Sequence, residues 1–382
     1  MNKSRFLWLA LPLSVLFVGC GDDSTSSNDD ASSEAASSVT EVTSSAEETS
    51  SSDEALSSEE GTSSEEGISS EEGTSSATEE SSSSEEEVSS AATTSCYTTV
   101  GGNQIKIQSN GQTFTMGSAM DSLFKGQKNS RTYFSESPTH SVSFSYDFYM
   151  DTTEVTQAMF SCIMSAASID VSTIESSWND VASAIVAGDN LPAWNVDAYT
   201  AILFANARST LDGLTPAYTI GDDSSVTTDY TANGYRLPTE AEWEFAARAG
   251  STSDGYWGWT YSSSMTADDS TNLTNNAIWE YNSYDYGTSS TEYGPHVVAS
   301  KSRNDFGLYD MIGNVSEWTN DFTSTYDSSA VTDPHVDTDT YSLGRVLRGG
   351  NWTNGPVDLR VSNRLYENSS YLYYGYGFRL VR

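Results

Sequence analysis

The chain has 382 residues, 54 of them acidic and 17 basic, with a formal net charge of −37. That excess argues against nucleic-acid binding, which rests on neutralising phosphates with Lys and Arg, and it disfavours anionic lipid headgroups. The acid is unevenly spread: residues 21–95 hold 21 acidic residues and no basic one, while nearly all aromatic residues lie in residues 96–382. Those last 287 residues suffice to bury a sizeable core as one large domain.

In chain order, Lys3 and Arg5 form a basic start, followed by an apolar run of 13 residues from Phe6 to Val18. The run is too short to span a bilayer comfortably. It ends in Phe17-Val18-Gly19-Cys20, which resembles a bacterial lipoprotein signal over residues 1–20, with Cys20 as the acylated residue. A plain secretory signal is the other reading. Residues 21–95 are Ser, Thr and Glu without aromatics, and SSEEGT, SSEEGI and SSEEGT repeat from Ser57 to Thr74. Such a tract cannot bury enough apolar surface to fold, and reads as a solvated, self-repelling tether.

The globular part begins near Cys96. Gln104–Gln108 and Gln112–Met116 predict a strand pair joined at Asn110-Gly111, a hairpin dipeptide. Ser141–Tyr149 alternates and predicts a further strand. Glu154–Ala166 predicts a helix capped by Thr153 or Thr156, and Ala198–Arg208 a second, with its apolar face through Ala201, Ile202, Ala205 and Asn206. Glu240–Ala249 predicts the clearest helix: Thr239 and Glu242 make a capping box, and Gly250 stands where a helix-ending glycine belongs. It reads as structural. Residues 251–291 predict irregular loops, and Val297–Ser300, Val346–Arg348 and Gly377–Val381 short strands. Short strands, few helices and many glycine turns indicate an α+β fold with much irregular loop.

The chain's most informative stretch is Phe306–Asp321. Gly313 and Asn314 both tolerate positive φ and mark a tight turn. Asp310 and Glu317 flank it, and a loop bent between them can gather both carboxylates with the carbonyls of Gly313 and Val315. Hard cations such as calcium take that donor set, at about 2.3–2.6 Å. Leu308 and Trp318 would anchor the turn in the core. The plainer alternative is a buried turn whose carboxylates bond to backbone amides.

Seven segments in order, FTMGS (114–118), ESPTHSV (136–142), FYMDTTEVT (148–156), YRLPTEAEWEFAARAG (235–250), NDFGLYDMIGNVSEW (304–318), RGGNW (348–352) and GFRLVR (377–382), resemble the formylglycine-generating enzyme or sulfatase-modifying-factor domain family. The resemblance implies a compact C-type-lectin-like fold. It also implies structural calcium at the places of Asp310, Gly313, Val315 and Glu317. In that family two cysteines, five residues apart and shortly after the RGG segment, hold copper(I), a soft ion that selects soft ligands. The matching places here hold Asn354 and Leu359, and Asn351 stands where a serine usually follows RGG. Neither an amide nor an isobutyl group holds copper(I), so copper is not expected. Iron is not expected either, because His140, His296 and His335 are widely spaced. Cys96 and Cys162 can pair in an oxidising compartment.

The family's cleft is lined by the segment 351–376. Asn351, Trp352, Asn354, Asp358, Arg360, Arg364, Tyr371 and Tyr373 are its candidate binding residues, because Tyr and Trp supply rigid contact area and Asn adaptable hydrogen bonds. The segment also resembles the C-terminal regions of lectin-fold proteins diversified by retroelements. The plainer alternative is that several tyrosines are core and that Arg360 and Arg364 form internal salt bridges. The resulting expectation is a lipid-anchored protein of the bacterial cell envelope. Its calcium-stabilised domain binds a protein or glycan, touches membrane only through the anchor, and lacks copper-dependent oxidation. An oxidoreductase with an altered site, or a scaffold in an envelope machine, are the alternatives.

Overall fold

The computed structural model describes residues 103–119, 136–179, 185 and 187–382. The leader, Cys20, the acidic tract and Cys96 lie outside the described residues.

Four short strands open the fold: β1 (Gln104–Ile107), β2 (Thr113–Met116), β3 (His140–Ser143) and β4 (Phe148–Asp151). Gly111, at φ +74°, does turn the chain between β1 and β2. The expected hairpin does not form, however, because β1 pairs antiparallel with β4 and β2 antiparallel with β3. The turn docks on another segment instead: Gly111 N donates to Phe144 O at 2.8 Å, and Gln112 O accepts from Phe144 N at 3.2 Å. The expected strand 141–149 is likewise divided into β3 and β4. Asp333 accepts from Ser145 N and Ser145 Oγ, at 2.8 and 2.5 Å, and bends the backbone there.

Helix α1 (Gln157–Ala166) starts three residues later than expected, because Thr156 rather than an earlier residue caps it by accepting from Met159 N. Cys162 lies on α1 and is disulfide-bonded, with its partner outside the described residues. After α2 (Ser172–Trp178), Asp197 caps α3 (Ala198–Leu211) through Thr200 N at 2.7 Å. A small hairpin, β5 (Tyr218–Ile220) with β6 (Val226–Thr228), leads to α4 (Glu240–Arg248). The Thr239–Glu242 capping box of α4 is present as read. The stretch expected to be irregular contains α5 (Ala267–Asn276), started by a Thr266–Asp269 capping box and buried only at Leu273. Val297–Ser300 is not a strand: Ala299 has φ +59°, and its N–H leaves for Asp310.

The remaining strands are β7 (Ser316–Phe322), β8 (Val331–Thr332), β9 (Arg345–Arg348), β10 (Arg364–Glu367) and β11 (Tyr376–Gly377). The largest sheet runs β10-β9-β7-β11, with β11 parallel to β7. The expected closing strand is strand only at 376–377; farther on, Val381 bridges to Met150 and to Arg236. Apolar side chains gather on two sides of this sheet system. On one, Phe160 stacks on Phe204 at 5.6 Å and Phe378 meets Phe204 edge-on at 5.3 Å. On the other, Phe144, Phe245, Trp243 and Met311 pack together. Each such buried ring contributes roughly 1.5–3 kcal/mol through area removed from water. Helix α4 is buried along all nine residues, so its three glutamates must find partners inside.

Candidate functional site

The turn before β7 is built from left-handed backbone. Asp310, Gly313 and Asn314 have φ of +55°, +85° and +57°. Glycine is required at 313, because a Cβ there would stand 2.3 Å from Ile278 O. The Asn314 side chain clamps the neighbouring loop, accepting from His296 N at 2.8 Å and donating to His296 O at 3.2 Å. Leu308 and Trp318 are fully buried on either side, as expected of anchors.

The carboxylates around this turn are unequally satisfied. Glu317 accepts two bonds from Arg379, each 2.7 Å, and one from Trp243 Nε1 at 2.7 Å. Asp310, almost fully buried, accepts from Ala299 N at 2.6 Å. Beside it Glu154 is wholly buried, and neither of its carboxylate oxygens has a hydrogen-bond partner. Burial first, and then the charge of Asp310, push the Glu154 carboxyl well above the usual carboxylate range. Burial also pushes Asp310 up, against the Ala299 N–H and Arg379. With the Glu154 carboxyl pushed up and able to share its proton with Asp310, two carboxylates, Asp310 and Glu317, face the Arg379 guanidinium. A buried charge left uncompensated costs several kcal/mol, so the group takes a proton or a cation.

The donor set suits a hard ion in chemistry, since all donors are oxygen and Glu154 stands in the interior, but both oxygens of Glu317 are already held by Arg379 and Trp243. It does not amount to a cage of side chains, for among the described residues no three His, Cys, Asp or Glu side chains form a metal-binding group. Carbonyls such as those of Gly313 and Val315 would have to complete it. Glu154 was not among the expected ligands. Its signal was a carboxylate just before a helix with no Lys or Arg within four residues on either side.

In the segment after β9 the two arginines follow the plainer of their two readings, internal salt bridges. Arg360 is buried and donates to both oxygens of Glu136 at 2.6 Å. Arg364 is buried too, donates to both oxygens of Glu240 at 2.5 and 2.8 Å, and lies 4.0 Å over the Tyr326 ring. Neither guanidinium is open to a ligand in this arrangement, so both leave the candidate surface. Trp352 and Asn351 are also interior. Trp352 donates to Tyr374 O, while Asn351 donates to Ser316 Oγ and accepts from Thr353. The Arg fork matches a carboxylate in two bonds, and these pairings tie Arg360 to the segment at Glu136 and Arg364 of β10 to helix α4.

Asn354 and Leu359, at the places of the family's cysteines, have different surroundings. Asn354 Oδ1 accepts from Asn351 N at 2.8 Å, and Leu359 is fully buried. Next to Asn354 lies a cavity of about 40 Å³, lined by Ser316, Leu347, Gly350, Asn354, Asp358, Asn363 and Leu365. Asn363 Oδ1, a buried atom on its wall, has no protein partner. The cavity is large enough for ordered water and far below the ~300 Å³ of ordinary ligand pockets. Asp358 and Asn354 are half-buried at its rim, Tyr373 is half-buried against Tyr374 and Tyr376, and Tyr371 is exposed.

An α+β fold of short strands with a Gly-Asn turn, an all-buried glutamate helix and a C-terminal arginine on Glu317 defines one class of domain. The chain belongs to the sulfatase-modifying factor enzyme 1-like domain family, whose match runs over residues 102–382. The chaperone protein LppX of Paenibacillus barcinonensis is 31% identical over 216 residues, which is 51% of this chain and 71% of that protein. The inactive C-alpha-formylglycine-generating enzyme 2 of Bos taurus is 40% identical over 124 residues, covering 31% of this chain and 33% of its own length. Among solved structures, Treponema denticola variable protein 1 superposes with a TM-score of 0.54 at 25% identity, over 74% of this chain and 96% of that one.

Proposed function

We propose that this protein is a cell-envelope binding or accessory module, without copper-dependent cysteine oxidation. On this reading a lipid anchor at Cys20 and the tether 21–95 present the domain, and a structural calcium steadies the turn at Asp310, Gly313, Val315 and Glu317. The observation that carries it is the fate of the two cysteine places. One holds an amide bonded within its own loop, and the other a core leucine. Neither group can ligate a soft ion or exchange with a thiol. Cys162 cannot stand in as a free thiol, because it is already disulfide-bonded. The names of two relatives, one an inactive enzyme and one a chaperone, agree with an accessory role. Calcium, when bound, would displace the Glu154 proton and balance the carboxylates beside it, so its part would be structural.

The test is an assay of the purified mature chain, loaded with copper(I), on a cysteine peptide of the sulfatase type. The expected outcome is no aldehyde above the no-enzyme background by mass spectrometry. Repeated turnover would overturn the reading.

A further inference from the structure

Of the eight large hydrophobic side chains left in water among the described residues, five lie in two short segments. Tyr281, Tyr284 and Tyr286 are 58%, 41% and 54% exposed, and Tyr371 and Leu372 are 36% and 42% exposed. They come from two segments far apart in sequence, 279–294 and 368–377. A chain of ring contacts joins these segments: Tyr284 to Trp352 at 5.8 Å, Trp352 to Tyr374 at 5.4 Å, Tyr374 to Tyr373 at 4.2 Å, then Tyr376 at 4.8 Å and Tyr371 at 6.3 Å. Tyr284, Tyr293, Tyr373 and Tyr374 thus form one tyrosine ledge over the buried Trp352, reaching Tyr371 at its far end, while Tyr281 packs on Trp279 at 5.6 Å. A contiguous exposed patch of this kind marks an interaction surface, whereas single exposed rings need no explanation.

The charge on the ledge has one sign. Segment 279–294 carries Glu280, Asp285 and Glu292 and no Lys or Arg, and segment 368–377 carries no charge at all. Glu292 faces His296 at 3.9 Å. Among the described residues, no Lys or Arg forms a salt bridge with Glu280 or Asp285. Glu280 lies against the 355–358 turn, where a Cβ on Gly355 would stand 3.3 Å from its Oε2. Its carboxyl is pushed up, by burial first and then by the charges of Asp285 and Asp358. Tyrosine faces attract guanidinium and ammonium groups, and carboxylates without a cation partner add to that attraction.

We infer that the tyrosine ledge formed by 279–294 and 368–377, with Glu280 and Asp285 at its edge, docks a basic, extended segment of a protein partner. This rests on the binding-module reading above and names the chemistry of the partner. A neutral glycan would stack on the rings but would leave the Glu280, Asp285 and Asp358 repulsion in place. An acidic glycan or a phosphate backbone would be repelled by it.

The test is calorimetric titration of the mature chain with an acetylated decapeptide of alternating Gly and Arg, at about 0.15 M salt, where exposed charges are screened beyond ~8 Å. The tether also attracts this peptide, so the readout is the change produced by substitutions on the ledge, with the tether the same in every protein. Glu280→Gln with Asp285→Asn should weaken binding about tenfold. Tyr284→Ala with Tyr371→Ala should weaken it about fivefold, the scale of two exposed cation–ring contacts. Melting curves check that each variant is folded, and an unfolded pair is replaced by its single substitutions. Affinities within twofold of the parent for both pairs would overturn the inference. Binding of chitohexaose that the tyrosine pair abolishes, without a peptide effect, would overturn the basic partner and keep the binding-module reading. Copper-dependent turnover would overturn that reading and leave this test standing.

Discussion

Two regions of the interior treat buried acid in opposite ways. Around α4, the carboxylates of Glu240, Glu242, Glu244 and Asp321 lie among Arg236, Arg248, Arg348 and Arg364. Glu242 illustrates the balance: burial pushes it up, yet Arg236 and the Thr239 N–H bring it below its ordinary value. At the turn before β7, Glu154, Asp310 and Glu317 share Arg379. The first region is closed by charges the chain itself carries. The second holds more carboxyl groups than cations, and its fully buried Glu154 is pushed well above the usual carboxylate range.

The largest effect should come from opening the closed region. Arg348 donates to Glu244 and to the carbonyls of Val361, Ser362 and Asn363. Arg348→Met should cost about 3–5 kcal/mol in urea unfolding, because it strands buried acceptors. A loss under about 1 kcal/mol would erase the contrast between the regions.

Next in size is the open region. Chelation should lower the melting temperature of the parent, and calcium at a hundredfold excess over Kd should restore about 2.7 kcal/mol. Because the Glu154 carboxyl is pushed up and holds its proton when the ion is absent, Glu154→Gln changes no charge in the chelated protein; the chelated variant should be about as stable as the chelated parent and should respond less to calcium. A full calcium response in the variant would remove Glu154 from the site, and a parent indifferent to chelation would remove the ion.

The smallest effect sharpens the comparison from within the closed region. Asp321 accepts from Glu240 N and Val336 N, and burial, then the charges of Glu240 and Glu242, push it up to about 8. Against roughly 3.9 in an unfolded chain, the folded state holds the extra proton between those values. The contribution of Asp321 to stability is therefore full below about pH 4 and declines as pH rises towards 8. Asp321→Asn cannot accept both backbone bonds, and should cost about 1–2 kcal/mol near pH 5. Because the amide does not ionise, that cost should shrink by pH 8. Parallel pH profiles for variant and parent would show that Asp321 does not titrate in this window.

How much of this was legible follows from the range of each interaction. Helix α4 could be read because Thr239, Glu242 and Gly250 act within one turn of their own positions. The same physics misled at Asn110-Gly111, where a real turn is captured by Phe144 and pairs nothing with itself. Helix α5 was hidden because its polar composition buries only Leu273, leaving the Thr266–Asp269 cap as its sole local mark. The Gly313-Asn314 turn could be placed in the sequence, but Arg379 closing on Glu317 and Glu154 standing beside Asp310 could not. Those partners lie far apart along the chain, and nothing local links them. The binding segment stayed open between two readings for the same reason: whether Arg360 and Arg364 face water or pair internally depends on Glu136 and Glu240, which arrive from elsewhere. The tyrosines at 281–286, which do face water, lie in a stretch whose irregularity concealed them.

The segment 376–382 threads the middle of the domain. Tyr376 lies on Trp318, Arg379 closes on Glu317, Leu380 and Val381 join the backbones of Asp151 and Arg236, and Arg382 pairs with Tyr149. A nascent chain lacking these residues has an unfinished centre, however much of it has been made. Assembly of the core must therefore wait for synthesis to pass this point.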